Sequence, residues 1–525
     1  MRVNLVLCPS RDGSPVCRAD ELYLHSPYAP QREAERFVEH RLGERSPTAF
    51  VLISPCLDYV SPRLRARFPR ATIVALQPDT FFRGKELGGQ DAIWYPDSAL
   101  SLAAFLDQAI DDDVVSGLAV LEWPAGIQAF PEAAARFREA LRFALDRVTA
   151  SAATVKAFGR RWLANACRAF LLVERIAIPF GLDGPVVLAA AGPSLGASLA
   201  ALSPYRGRFA LVAVSSALAA CRAARMEPDL VIATDGGFWS RAHLYPLAAR
   251  PALLAAPLTA LPSSQLWREL PLLLLDQRSF AESALLPSLG ESLGLPPHGT
   301  VAGSGLHLAA RLSSGPILAA GLDLAVHGGR EHASPHAFDE VLAAAENRLS
   351  PAATASFARL RETAPLPTRS ETWRRSRSLA SYAEALGCDA ADYPGRLFRL
   401  NPSPVEIAGF AEVGDAELPA ILGRSAVETA SAAWRAAPEL GRRRAILGEV
   451  LSRWRREAEE GAALLAAGRI PESASLREVY RFLDLPDWAA ARRAGLSGQD
   501  PRPSARNLAE RTARCLADIE RSLLG

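Results

Sequence analysis

The 525 residues carry 59 Lys plus Arg against 57 acidic residues, a net charge of +2, so nothing in the charge balance calls for nucleic acid or an anionic membrane as partner. Hydrophobic residues at 49% and charged residues at 22% exclude a disordered chain. This length exceeds one ordinary core and calls for two or three domains.

Residues 1–150 read as an N-terminal Rossmann-like α/β domain, because the apolar runs AFVLISP, ATIVALQP and GLAVLEW alternate with stretches of helical character. The opening MRVNLVLCPSRDG lacks the basic region and long apolar stretch of a secretory signal, which points to the cytoplasm. After VLIS the corner reads Pro55, Cys56, Leu57, Asp58, Tyr59, without the glycines that a dinucleotide or methyl donor requires, so no cofactor is expected there. The run Asp111 to Asp113 contains the D-x-D pattern of metal-dependent sugar transferases, but it precedes a predicted strand and reads as a solvated turn. A bridging helix is expected over 151–183, with Phe158, Trp162, Ala166, Phe170 and Val173 spaced for one apolar face.

Residues 184–419 read as a central doubly wound α/β domain, with strand-like runs VVLAAA, FALVAV, LVIATD, ALLAAP, LLLLDQ and PILAAG separated by helical segments. The uncharged stretch PALLAAPLTALPSSQLW is too short for a membrane span and is broken by Pro257 and Pro262. Residues 420–525 read as a helical C-terminal region that caps the fold or meets a partner. The seven cysteines are scattered without a C-x-x-C pair and read as buried thiols in a reducing compartment, with no metal site.

Ligands of an open parallel sheet bind outside the carboxyl ends of its strands, and that rule selects the candidate site. Four predicted strands end in small or hydrogen-bonding residues: Gly192, Pro193 and Ser194; Ser215 and Ser216; Asp235, Gly236 and Gly237; and Asp323. Ser194 is either an N-cap or part of an anion site at a helix start, as are Ser304 and Gly305 ahead of LHLAARL. Asp235 either caps a turn or grips a ribose diol. In AVHGGREHASPHAF, His327, His332 and His336 form an exposed polar loop, a chance metal site or a lid delivering a general base, and His332 and His336 lie farther into the loop than His327. No G-x-S-x-G elbow, Walker-type phosphate loop or H-E-x-x-H helix occurs.

These residues resemble the motility-associated factor (Maf) glycosyltransferases, bacterial proteins that modify flagellin and whose central domain is similar to bacterial sialyltransferases. The resemblance is carried by AAGPSLGASL, MEPDLVIATD and GTVAGSGLHLAARLSSGPILAAGLDLAVHGGREHA in that order, with weaker echoes in RRWLANACRAF and LFRLNPSPVEIAGF. It implies that Gly192, Pro193 and Ser194 face a nucleotide, that Asp235 meets the sugar nucleotide, and that Ser304, Gly305, Gly321 and Asp323 complete a pocket for cytidine and phosphate. Ser215 and Ser216 replace the Asn of the sialyltransferase relatives, and Leu322 replaces the usual Gln of the Maf motif. The implied co-substrate is a CMP-activated nonulosonic acid, with no separate cofactor and no metal, and the implied acceptor is a Ser or Thr hydroxyl of flagellin. Backbone N–H groups and hydroxyls at the Ser194 and Ser304 helix starts would then hold the departing phosphate, while His332 or His336 deprotonates the acceptor. Two alternatives stay open: a pterin diphosphokinase using ATP and magnesium, for which Asp235 and Asp323 are the only obvious rim carboxylates, and a non-catalytic flagellin-binding protein.

Overall fold

The computed structural model describes residues 3–110, 115–249, 253–349, 351, 353–366, 372–400, 405–427, 432–469, 471, 473–497 and 499–524; the acidic run 111–113 lies outside them. The chain is mixed α/β and forms two compact units, residues 1–160 with 452–518, and residues 161–451 with 519–525.

The first unit holds strands β1 (Ala49–Ile53), β2 (Thr72–Leu76), β3 (Ala92–Trp94) and β4 (Leu118–Glu122), ordered β3-β2-β1-β4 and all parallel. Phe50, Leu52, Ile73 and Ala75 enter one apolar cluster while Val51, Ile53, Val74 and Leu76 enter another. Burial on both faces is why these strands are written as unbroken apolar runs. A small antiparallel sheet, Leu5–Pro9 with Pro15–Ala19 and Leu22–Tyr23, precedes them; its half-exposed strands left no such run to read. Helices Leu440–Ala466, Ala474–Ser497 and Arg502–Leu524 supply a further apolar cluster around Leu465, Tyr480, Trp488 and Leu508.

Helix α1 (Pro131–Leu172) is a single 42-residue element; the helix expected over 151–183 forms its second half only as far as Leu172, because the chain leaves the helix there and Arg175–Ala177 is a strand. Nothing between Glu132 and Leu172 is a proline, and the helix therefore runs on without a break.

In the second unit the large sheet is built of β5 (Arg175–Ala177), β6 (Val186–Ala189), β7 (Ala210–Val214), β8 (Leu230–Ile232), β9 (Leu253–Pro257), β10 (Leu272–Asp276), β11 (Ile317–Ala320), β12 (Leu397–Leu400), β13 (Ala411–Val413) and β14 (Trp434–Ala436), beside a small antiparallel sheet of Val326–His327, Trp373–Arg375 and Ala364–Pro365. They run in the order β13-β12-β11-β6-β7-β8-β9-β10-β5-β14, with Leu293–Gly294 paired to β10, and only β14 is antiparallel. All six apolar runs read from the sequence are strands of this sheet. The outer strands β5 and β12 to β14 carry charged or exposed residues, including the buried Arg399, and gave no run to recognise.

Arg443 fixes the C-terminus of α1. Its buried guanidinium donates to the carbonyls of Phe170 (3.0 Å), Leu171 (2.7 Å) and Pro438 (2.7 Å), and pairs with Glu174 at 3.3 Å. Helix-end carbonyls have no intrahelical partner, so a neutral replacement strands them in the core. Arg443→Met should lower unfolding stability by about 3 kcal/mol, read from urea denaturation followed by circular dichroism.

Candidate functional site

Strands β11, β6, β7 and β8 are adjacent and parallel, so the loops after their carboxyl ends share one edge. The chain steps outward from β6 through β7, β8 and β9 to β10 and then returns to β11 on the other side of β6. Direction thus reverses between β6 and β11, where a doubly wound sheet opens its ligand crevice.

The two loops at that reversal are bonded to each other. Gly192 N–H donates to the Gly321 carbonyl at 2.8 Å, Ser194 N–H donates to Asp323 Oδ2 at 2.7 Å, and Ser194 Oγ donates to Asp323 Oδ1 at 2.6 Å. A Cβ on Gly192 would lie 2.4 Å from Asp323 Oδ2 and 2.5 Å from the Gly321 oxygen, so any side chain there would open the crossing. Gly321 itself holds φ +66°. Burial pushes the Asp323 carboxyl up from its ordinary range, against the Ser194 hydrogen bonds and the charges of Arg399 and His327.

Ser194 therefore is not a side-chain cap of helix α2 (Leu195–Leu202), because its hydroxyl and N–H are both spent on Asp323. Ser304 does not stand at a helix start either. Helix α3 (Val301–Leu312) begins one residue after Thr300, whose hydroxyl accepts from Gly303 N–H at 3.0 Å. Ser304 is fully buried, donates its N–H to Thr300 at 3.2 Å and accepts from Gln277 Nε2 at 3.4 Å, so that N–H is not available to an anion. A Cβ on Gly305 would lie 2.8 Å from Leu188 Cδ1, which makes this glycine the point where α3 closes onto the sheet.

On the neighbouring strands, Ser215 and Ser216 form a tight turn after β7, with Ser215 buried and Ser216 half-buried. Asp235 is exposed after β8, and its Oδ1 accepts from Gly237 N–H at 2.7 Å. The loop is pinned from below: Asn165 Nδ2 donates to the carbonyls of Gly236 (3.1 Å) and Thr259 (3.0 Å), and a Cβ on Gly236 would strike Trp162 Cδ1 at 2.5 Å. Trp162 and Asn165 lie in RRWLANACRAF, so in this chain that helical segment clamps the loop after β8.

The histidine loop hangs on the same crossing, since Ala333 N–H donates to the Ala191 carbonyl at 2.8 Å. The rings of His332 and His336 stack at 4.5 Å and 12°. His336 is buried, and its Nδ1 accepts Phe338 N–H at 3.3 Å to cap α4 (Ala337–Ala345). His327 is elsewhere, over Trp373 at 4.4 Å. A third imidazole joins the pair: His243 lies 4.9 Å from His336 and 4.7 Å from Phe338. It comes from the turn segment Phe238–Ala249 after β8, too far from AVHGGREHASPHAF in sequence to be associated with it. Burial, then repulsion from His332, pushes His243 down to about 4 against the attraction of Asp235, and its Nδ1 is buried without a partner among the described residues. Among the described residues no group of three or more His, Cys, Asp or Glu is arranged to hold a metal ion.

Comparison over all described elements aligns the chain with a Maf glycosyltransferase structure from Magnetospirillum magneticum AMB-1, at a TM-score of 0.59 and 14% identity, covering 100% of this chain and 92% of that one. The chain carries the Maf glycosyltransferase fold. Residues 167–329 of the chain match the family described as 6-hydroxymethylpterin diphosphokinase MptE-like. Two uncharacterized proteins of Treponema pallidum (strain Nichols) are similar in sequence, one 30% identical over 273 residues and the other 28% identical over 238. These matches take in 52% and 39% of this chain, and the chain spans only 59% and 60% of those relatives.

Two outcomes follow from this geometry. Ser194→Ala removes a hydroxyl bonded to a buried carboxylate and should cost about 1–3 kcal/mol of stability in urea unfolding. Between pH 6.5 and about 4 the unfolded chain binds a proton at His243 that the folded chain refuses, so stability falls as pH falls through that window. His243→Asn should flatten that slope in urea midpoints measured across the same range.

Proposed function

We propose that the protein is a glycosyltransferase that moves a nonulosonic acid from a CMP-activated donor to a Ser or Thr hydroxyl of flagellin, without a metal, in the cytoplasm. The observation that carries this reading is the glycine-lined crossing of Gly192–Ser194 with Gly321–Asp323 at the switch point of a Maf-type fold. The nucleotide would lie along the rim formed by that crossing, Ser215, Ser216 and Asp235. Because Ser194 and Ser304 already spend their N–H groups, they would act on the donor by shaping the rim rather than by holding phosphate directly.

Departure of CMP builds positive charge on the sugar, and the acceptor hydroxyl must lose its proton as the new C–O bond forms. Of the two candidate bases, His332 is the more accessible and its ring lies flat on buried His336, so His332 takes the proton and His336 positions it. The match to a family named for a pterin diphosphokinase favours one second reading, ATP-dependent diphosphoryl transfer.

Calorimetric titration with CMP, UDP, GDP and ATP, with and without magnesium, separates the readings. Metal-independent preference for CMP supports glycosyl transfer, magnesium-dependent ATP binding supports the diphosphokinase, and flagellin capture with no nucleotide affinity supports an accessory protein. With CMP binding retained, His332→Ala should slow transfer by roughly 100-fold or more, the usual contribution of a positioned base. Undiminished transfer would remove it from that role.

A further inference from the structure

The segment that brings His243 to the imidazole cluster has a second face. Ser240, Ala242, His243 and Leu244 are buried, while Phe238 and Trp239, in the same turn segment, remain 46% and 59% exposed. The Arg241 guanidinium lies 3.9 Å above the Phe238 ring, and the Phe238 and Trp239 rings meet edge to face at 5.2 Å. Among the described residues no acceptor receives a hydrogen bond from Arg241, and Asp235 Oδ2 is likewise open, only Oδ1 being engaged by Gly237.

Large aromatic surface in water is unfavourable, and here it is not a by-product of a loose loop. Gly236 is packed against Trp162 and Thr259, Asn165 holds its carbonyl, and Ser240 Oγ donates to the carbonyls of Asp235 (2.9 Å) and Gly237 (2.6 Å). A rigid backbone holding open aromatic faces has already met the ordering cost of binding.

An aromatic face, an open guanidinium and an open carboxylate within seven residues match the chemistry of a sugar acid. The C–H face of a saccharide ring packs on an indole, its hydroxyls donate to a carboxylate, and a ring carboxylate takes the guanidinium in paired hydrogen bonds. We propose that Trp239, Phe238, Arg241 and Asp235 form a saccharide platform that selects a sugar bearing a carboxylate. This assignment deepens the glycosyl-transfer reading and rests on it for the platform's place beside the transfer site. Arg241 confers the acidic preference and Trp239 most of the affinity.

The test uses the full chain and two probes titrated separately by calorimetry, free N-acetylneuraminic acid and CMP, with N-acetylglucosamine as the neutral control. Wild type should bind the acidic sugar more tightly than the neutral one. Trp239→Ala should weaken both sugars by about tenfold or more, and Arg241→Met should abolish the preference for the acid. Trp239 is largely exposed and Arg241 is half-buried against the Phe238 ring, so unchanged thermal melts of the variants should accompany these losses. CMP affinity should be the same in all three proteins, and its absence from wild type would count against the nucleotide reading alone. No saccharide binding by wild type, or equal affinities in wild type and both variants, overturns the platform.

Discussion

A buried carboxylate receiving two hydrogen bonds from one residue of the neighbouring loop, Asp323 from Ser194, is the constraint on which the rim depends. Removing a carboxylate from water is costly, and the two charge-assisted bonds together with Arg399 offset that cost only when both loops are in place. The crossing in turn fixes the histidine loop through Ala333 and Ala191, so the placement of His332 and His336 is inherited from it. Glycine at 192 is the condition that lets the carboxylate approach at all.

A second anchor works from the opposite side of the rim. Asn165 and Trp162, on α1, clamp Gly236, and this turns the segment after β8 into a rigid strip with one face toward the imidazoles and the other toward water. Neighbouring residues of that strip thus serve different chemistries, a buried imidazole at 243 and exposed rings at 238 and 239. Their coupling is covalent and local, and needs no motion to connect them.

The first unit shows what the same topology looks like when the reversal point is filled. Its chain direction turns between β1 and β4, and there the His25 ring stacks on Trp123 at 5.1 Å while Trp123 Nε1 donates to the Leu24 carbonyl at 2.6 Å. Leu57 N–H donates to His25 Nε2 at 3.2 Å, and burial pushes that histidine down to about 3, keeping it neutral. The corner Ser54, Cys56 and Asp58 takes positive φ without a single glycine, and all three residues are buried.

From sequence alone, strands buried on both faces were legible, because a parallel sheet covered by helices demands continuous apolar runs, and the rule that ligands meet the carboxyl ends of such strands then named Ser194, Asp235 and Asp323. The edge strands escaped, since half-exposed segments such as Trp434–Ala436 carry no pattern that distinguishes them from loops. Composition alone does not locate a helix start: Thr300, not Ser304, caps α3, because the capping hydroxyl must sit outside the helix and GTVAGSG offers two candidates, Thr300 and Ser304. Only the tertiary structure could decide that Ser194 spends its donors on Asp323, that His243 joins His336, and that Asn165 holds Gly236. Each of these pairs is separated by 71 to 129 residues or lies on different loops, and such contacts are set by strand order and sheet twist, which local sequence does not encode.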